Sequence, residues 1–160
     1  MNAFTLKQVI ETAIHAEELG IKFYSEMAKK YADDEKLKNI FEILAKDEVE
    51  HKKQFQALAE ENSQLPYDLT EEDKLYFKGC DISKFFPSLE ESDIKLTPDQ
   101  VLKNAFDFEK ESVLFYTGIR YLIPMKDKLD IIIQKEKTHM TKIMHYIINN
   151  SEFRGIEDNF

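Results

Sequence analysis

Residues 13–24 read AIHAEELGIKFY, and residues 105–116 repeat that pattern as AFDFEKESVLFY. Each stretch is followed further along the chain by Glu-x-x-His, first as EVEH at residues 48–51 and then as EKTH at residues 136–139. Together these segments supply four carboxylates and two imidazoles at helical spacing. This is a ligand set that holds two metal ions inside a four-helix bundle. The repeat therefore predicts two similar helical halves that share one metal site.

The composition favours an all-α protein. A length of 160 residues fits one domain, residues 1–160, which is long enough to bury a continuous core. Glycine and proline number only four each, and 42% hydrophobic residues are interleaved with 33% charged residues. Long amphipathic helices have such a composition, whereas β folds need more turn residues.

The charge and the cysteine content limit the partners. A net charge of -9 argues against binding to nucleic acids or anionic membranes, which require clustered cations, and leaves small cations and neutral oxidants. The only cysteine, Cys80, excludes an internal disulfide and any Cys-x-x-Cys metal site in this sequence. No apolar run reaches the roughly 18 residues of a membrane span, and the first residues lack the features of a signal peptide. We therefore expect a cytoplasmic protein.

The first two helices are marked by their start signals. Thr5 followed by Gln8 forms a capping box, and apolar residues at helical period then predict a helix from about Leu6 to Lys30. Asp34 is the expected N-cap of a second helix, whose inward stripe continues to Leu58. The connection between the two helices is so short that they should form an antiparallel hairpin.

The second half repeats this hairpin after one long connection, residues 62–96, with a short helix expected after Thr70. Thr97 and Pro98 form a strong helix start, and Pro124 favours the start of the next helix. Two hairpins joined by one long crossover make the ferritin-like arrangement of a four-helix bundle rather than a simple up-down-up-down bundle.

The candidate ligands interrupt the apolar stripes of all four helices, and no lysine or arginine shares those stripes. Uncompensated burial of four carboxylates is very unfavourable, so they must take up protons or bind cations. Mixed oxygen and imidazole ligands suit iron, manganese or zinc. A satisfied polar layer without metal is the alternative. The candidates are Glu17, Glu48, His51, Glu109, Glu136 and His139.

Four further residues flank these candidates. Tyr24 and Tyr116 each follow the glutamate of their own helix by two turns, so their hydroxyls could bond a ligand carboxylate, although a plain core aromatic is the alternative. Asp47 could orient a histidine, but we expect an exposed helical acid. In a regular helix Glu111 is rotated about 200° from Glu109 and should point away from the site. A π-bulge would bring Glu111 inward as an additional ligand.

The paired Ala-x-x-x-Glu-(x)6-Tyr helices, each with a downstream Glu-x-x-His, resemble the rubrerythrin branch of the ferritin-like superfamily over most of residues 6–148. The resemblance implies a non-haem di-iron centre, with manganese or zinc as the alternative metals. It also implies a role for each ligand: Glu48 and Glu136 as bridges, Glu17 and Glu109 as terminal carboxylates, and His51 and His139 as nitrogen ligands.

The sequence departs from this family in two places. Rubrerythrins with peroxidase chemistry typically carry a rubredoxin domain, which the single Cys80 cannot provide, so electrons should come from a separate donor protein such as a rubredoxin. The family often has an extra carboxylate near the terminal glutamate of the third helix. One turn after Glu109, this sequence has Ser112 instead.

These observations predict an oxidoreductase that reduces hydrogen peroxide or dioxygen at a di-iron centre, and we expect a homodimer. One alternative is a ferroxidase or iron-handling protein, whose storage function would need a hollow shell that a dimer does not form. The other is a non-catalytic helical bundle stabilised by metal.

Overall fold

The computed structural model describes residues 5–63, 68–80, 82, 96–124 and 126–150. The predicted all-α fold is confirmed, since within these ranges the only β pairing is an isolated bridge between Thr5 and Asp68. The helices are α1 (Leu6–Lys30), α2 (Glu35–Glu61), α3 (Glu71–Gly79), α4 (Pro98–Leu122) and α5 (Lys126–Asn149).

The helices begin where the local start signals predict. Thr5, Thr70 and Thr97 each accept a hydrogen bond from the backbone N–H three residues on, and the side chain of that residue bonds back to the threonine N–H. Asp34 caps α2 in a simpler way, because its Oδ1 accepts from the N–H of Leu37 at 3.0 Å. These caps satisfy N–H groups that have no partner within the helix.

The long connection runs from one end of the bundle to the other. Near its start, Asp68 pairs with Thr5 at the beginning of α1. Near its end, the carbonyl of Leu96 accepts a hydrogen bond from Lys30 Nζ, at the last residue of α1, over 3.2 Å. A helix of this length extends roughly 37 Å. Consequently α4 starts at the far end of α1 and runs antiparallel to it, and two antiparallel hairpins, α1–α2 and α4–α5, face each other.

Helix α3 lies within this connection and packs on α4. The rings of Phe77 and Phe115 meet edge to face at 5.0 Å, and Tyr76 Oη donates to the carbonyl of Leu114 at 2.5 Å. Gly118 allows this close approach, because a Cβ at that position would lie 2.5 Å from the ring of Tyr76. The crossover is thereby fixed to the second hairpin.

The four long helices bury their apolar stripes in one core, whose largest buried side chains are mainly aromatic. The predicted ligands lie within this core rather than at its edge. Among the described helices, none is long and apolar enough to cross a membrane.

Candidate metal centre

The structure brings all six predicted ligands together in the middle of the bundle. Helices α1 and α4 each contribute one glutamate, and α2 and α5 each contribute a glutamate and a histidine that share a helical face. None is more than 2% exposed to solvent. The residues that the repeat marks therefore form one buried polar cluster.

Two groups within this cluster have the arrangement of metal ligands. In each group one ligand atom from every residue lies within 4.8 Å of the others, and no third such group occurs among the described residues. Both groups contain Glu48 and Glu136, which can therefore bridge two ions. The first group is completed by Glu17 and His51, and the second by Glu109 and His139.

Both histidines turn Nδ1 towards the carboxylates. His51 Nδ1 lies 2.8 Å from Glu136 Oε1 and 3.5 Å from Glu48 Oε2. His139 Nδ1 lies 3.2 Å from Glu109 Oε2, and it lies 3.3 Å from Glu136. The two rings are roughly parallel, with centroids 5.6 Å apart. Each imidazole thus offers the same nitrogen to the centre of the cluster.

Several of these buried atoms are close together without forming hydrogen bonds. Glu17 Oε2, Glu48 Oε1, both carboxylate oxygens of Glu136, and His51 Nδ1 make no well-directed hydrogen bond to the part of the chain that the structure describes. Buried polar atoms without partners are rare because the loss of hydration is unfavourable. Here they converge on shared points, as the ligands of a cation do. Four carboxylates and two imidazoles fit two divalent ions in both charge and ligand type.

Burial and mutual repulsion shift the pKa values of the acids in the cluster. Burial, together with the charge of Glu48, raises the pKa of Glu17 well above its usual range. Burial and the neighbouring Glu109 also raise the pKa of Glu136. Burial alone would raise the pKa of Glu48, but hydrogen bonds from neighbouring side chains outweigh burial and lower that pKa. Glu48 therefore ionises more readily than Glu17 and Glu136 do.

The acids of the cluster raise the pKa values of the two histidines. Burial alone would lower the pKa of His51, but contacts with Glu136 and Glu17 raise it. The same balance raises the pKa of His139, beside Glu109. Binding of cations must therefore displace protons from the histidines as well as from the acids.

Tyr24 and Tyr116 each bond a glutamate of the cluster across the bundle. Tyr24 Oη donates to Glu109 Oε1, and Tyr116 Oη donates to Glu17 Oε1. Seven residues of helix rise about 10 Å, so in two antiparallel helices each tyrosine comes level with the glutamate of the other. Burial, reinforced by the adjacent carboxylate, raises the pKa of both phenols, which therefore remain hydrogen-bond donors.

Asp47 corrects the expectation of an exposed acid. Its Oδ2 lies 3.0 Å from His139 Nε2 and 3.9 Å from Lys135 Nζ, and its side chain is only 21% exposed. Asp47 faces α5, so the packing of α2 against α5 covers most of its side chain. The adjacent Asp-Glu pair in the sequence was the available signal, but only the packing of the helices shows which histidine Asp47 contacts.

The structure also shows the positions of Glu111 and Ser112, two residues of α4 close to Glu109 in the sequence. The helix is α-helical throughout, without a π-bulge, and the half-buried Glu111 belongs to neither ligand group. Instead, its charge acts on Cys80 and Tyr76, on the side that α3 covers. Ser112 is buried, and its Oγ has no hydrogen-bond partner among the described residues.

Comparisons with known proteins bear on the fold and the family of this chain. The structure is similar to a crystal structure from Thermotoga maritima described as a ferritin-like diiron-carboxylate protein, with 22% identity and a TM-score of 0.68 over 91% of this chain and 95% of that chain. At this identity the likeness shows the fold alone. No curated protein matches the sequence. The rubrerythrin family model matches residues 8–147, a range that contains all six residues of the buried cluster. The chain therefore belongs to the rubrerythrin family.

Proposed function

We propose that the protein is a non-haem di-iron oxidoreductase that reduces hydrogen peroxide or dioxygen with electrons from a separate donor protein, such as a rubredoxin. The observation that carries this proposal is the pair of overlapping ligand groups that share Glu48 and Glu136. Family membership supports iron as the metal. The donor set contains oxygen and imidazole nitrogen and would also accept manganese or zinc.

The six residues of the cluster would have three roles in this function, with two residues in each role. Glu48 and Glu136 would bridge two ions, His51 and His139 would each provide one nitrogen, and Glu17 and Glu109 would each bind one ion as terminal carboxylates. Two bound iron ions would supply one electron each to the oxidant. Nearly complete burial of all six side chains excludes bulk water from the centre.

The tyrosines leave each terminal carboxylate partly available. Tyr116 holds Oε1 of Glu17, whereas Oε2 has no hydrogen-bond partner in the described chain. A carboxylate fixed at one oxygen can use the other as a ligand and can pivot about the hydrogen bond. Glu109 is held in the same way by Tyr24, and its Oε2 faces His139. Both terminal carboxylates can thus adjust to a change in charge without losing their position.

Metal loading and rapid kinetics test this proposal. The protein is loaded with Fe(II) under anaerobic conditions, its iron content is measured, and the loaded protein is mixed with hydrogen peroxide or dioxygen in a stopped-flow spectrometer. We expect about two iron ions per chain, as the two ligand groups require, and faster oxidation by peroxide. A ratio below about one ion per chain would contradict the di-metal centre.

Other outcomes would select the alternative functions. Faster oxidation by dioxygen, with iron accumulating far beyond the two ligand groups, would identify an iron-handling protein. Tightly bound zinc without redox activity would identify a structural metal centre. The size of the protein in solution adds to this distinction, because we propose a homodimer, whereas iron storage requires a hollow assembly.

Two glutamates on one helix provide a matched pair of variants. Glu109→Gln weakens a terminal ligand and should lower both iron content and the oxidation rate. Glu111→Gln makes the same chemical change two residues away, outside both ligand groups, and should leave both quantities near the wild-type values. Loss of peroxide turnover in Glu111→Gln with normal iron content would show that Glu111 moves into the centre during turnover.

A further inference from the structure

The two histidines of the centre have different surroundings on their outer side. Nε2 of His139 lies 3.0 Å from Asp47 Oδ2. For Nε2 of His51, none of the described residues provides a hydrogen bond or an ion pair. The inner sides are alike, because both Nδ1 atoms face the shared Glu136. The outer nitrogens of the two histidines therefore differ in having a carboxylate partner.

The sequence repeat shows why His51 lacks such a partner. Asp47 immediately precedes Glu48, and the residue that immediately precedes Glu136 is Lys135. A protonated lysine has no lone pair to accept a hydrogen bond from an imidazole N–H. Lys135 instead lies 3.9 Å from Asp47, on the same seam between α2 and α5. One position of the repeat thus holds an acid in the first hairpin and a base in the second.

A carboxylate behind a metal-binding histidine has known physical effects. It accepts the proton of the outer nitrogen, which fixes the tautomer, orients the ring and makes the inner nitrogen a more basic ligand. Loss of such a partner typically lowers metal affinity by about 10- to 100-fold. Asp47 suits this role, because its Oδ2 lies within hydrogen-bond distance of His139 Nε2 and its side chain is largely covered by the neighbouring helix.

We propose that Asp47 makes the two metal positions unequal: the position formed by Glu48, Glu109, Glu136 and His139 binds its ion more tightly and fills first. The position that includes His51 and Glu17 fills second. Asp47 acts as a positioning residue, through His139 and without contacting the metal. This inference rests on the metal centre proposed above.

Metal titration of an Asp47 variant tests the inference without any measurement of turnover. Metal-free wild type and Asp47→Asn are titrated with Co(II) alone, followed by calorimetry and visible absorption. Asparagine keeps the shape of the side chain and an oxygen that can accept the Nε2 proton, so only the charge is lost. We expect two binding steps, of which Asp47→Asn weakens the tighter one by about 10- to 100-fold and leaves the other nearly unchanged.

A control and a site-resolved measurement make this test specific. Glu50→Gln removes an exposed acid from the same helix and should change neither step. Nitrogen NMR of histidine-labelled protein with one equivalent of Zn(II) should show the signals of His139 shifting first. Melting of the metal-free variants checks that each is folded.

The possible results separate two kinds of failure. Unequal steps in the wild type also arise from repulsion between two cations, so the selective effect of Asp47→Asn is decisive. Equal weakening of both steps, no weakening of either, or Zn(II) binding first at His51 would overturn this inference and leave the metal centre standing. Absence of Co(II) binding in the wild type would overturn the metal centre and this inference together.

Discussion

The two hairpins contribute equivalent ligands but differ in the residues beside them. Glu17 and Glu109 occupy matching positions, yet the residue one turn later is Gly20 in the first hairpin and Ser112 in the second. In the proposed centre the ligands repeat because each half would hold one ion, whereas the flanking positions carry no such requirement. Differences between the halves therefore mark the places where the two sides of the centre can acquire separate properties.

Gly20 and Ser112 show how far this divergence goes. A Cβ on Gly20 would lie 3.2 Å from the ring of Phe108 and 3.3 Å from Glu48 Cγ, so this side is already filled by an aromatic ring. On the other side Ser112 presents a buried hydroxyl without a described partner. One turn after the glutamate of the cluster, α4 therefore carries a buried hydroxyl where α1 carries no side chain.

Removal of metal should have the largest effect, because it affects both halves. An ion at 100 times its dissociation constant stabilises the folded state by about 2.7 kcal/mol, so two ions contribute roughly 5 kcal/mol. For a chain of this size we expect chelation to lower the melting temperature by about 10–20 °C. Calorimetric scans with and without chelator measure this. An unchanged melting temperature would mean that the carboxylates do not share buried ions.

The tyrosines allow each half to be disturbed separately. Tyr24→Phe removes the hydrogen bond to Glu109, and Tyr116→Phe removes the equivalent bond to Glu17. A hydrogen bond to a charged group contributes about 1.5–3 kcal/mol, so each variant should lose stability in that range when loaded with metal. Metal titration should show that Tyr24→Phe weakens the position of His139 and Tyr116→Phe that of His51. Equal effects on both positions from either variant would contradict the crosswise pairing.

Helix α3 packs on the second hairpin, and Gly118 tests that attachment. Gly118→Ala places a methyl group within 3.0 Å of the rings of Tyr76 and Phe77, so α3 must shift. We expect a loss of about 1–3 kcal/mol in the free energy of unfolding, measured by denaturant titration. Gly79→Ala is the matched control, because its Cβ would have no neighbour within 4 Å. Equal stabilities of the two variants would show that α3 does not pack as described.

The smallest expected effect concerns Cys80. Burial and the nearby charge of Glu111 raise the pKa of its thiol, so little thiolate forms below pH 9 and alkylation by iodoacetamide should be slow. Glu111→Gln removes one cause of the raised pKa and should speed alkylation at pH 8 by roughly twofold to threefold. Mass spectrometry over time measures the rate. A rate that does not change would mean that Glu111 faces away from Cys80.

The sequence alone predicted the parts of this structure that depend on local signals or on the repeat. Thr5 and Thr97 begin helices because their caps act within one turn, and the Glu-x-x-His motifs mark residues of the buried cluster because both halves carry them. The contact of Asp47 with His139 was not predicted, because it depends on how α5 packs against α2. The effect of the Glu111 charge on Cys80 depends in the same way on where the crossover packs.

The crosswise pairing of the tyrosines has a further consequence. Tyr24 serves Glu109 and Tyr116 serves Glu17, so each hairpin completes the half-site of the other. A contact in which residue i meets j and j meets i is the signature of an isologous interface between two identical subunits. Two separate copies of one helical hairpin, related by a twofold axis, would form the same contacts. The single chain thus has the contact geometry of a symmetric dimer, with the long crossover as the covalent link between its two halves.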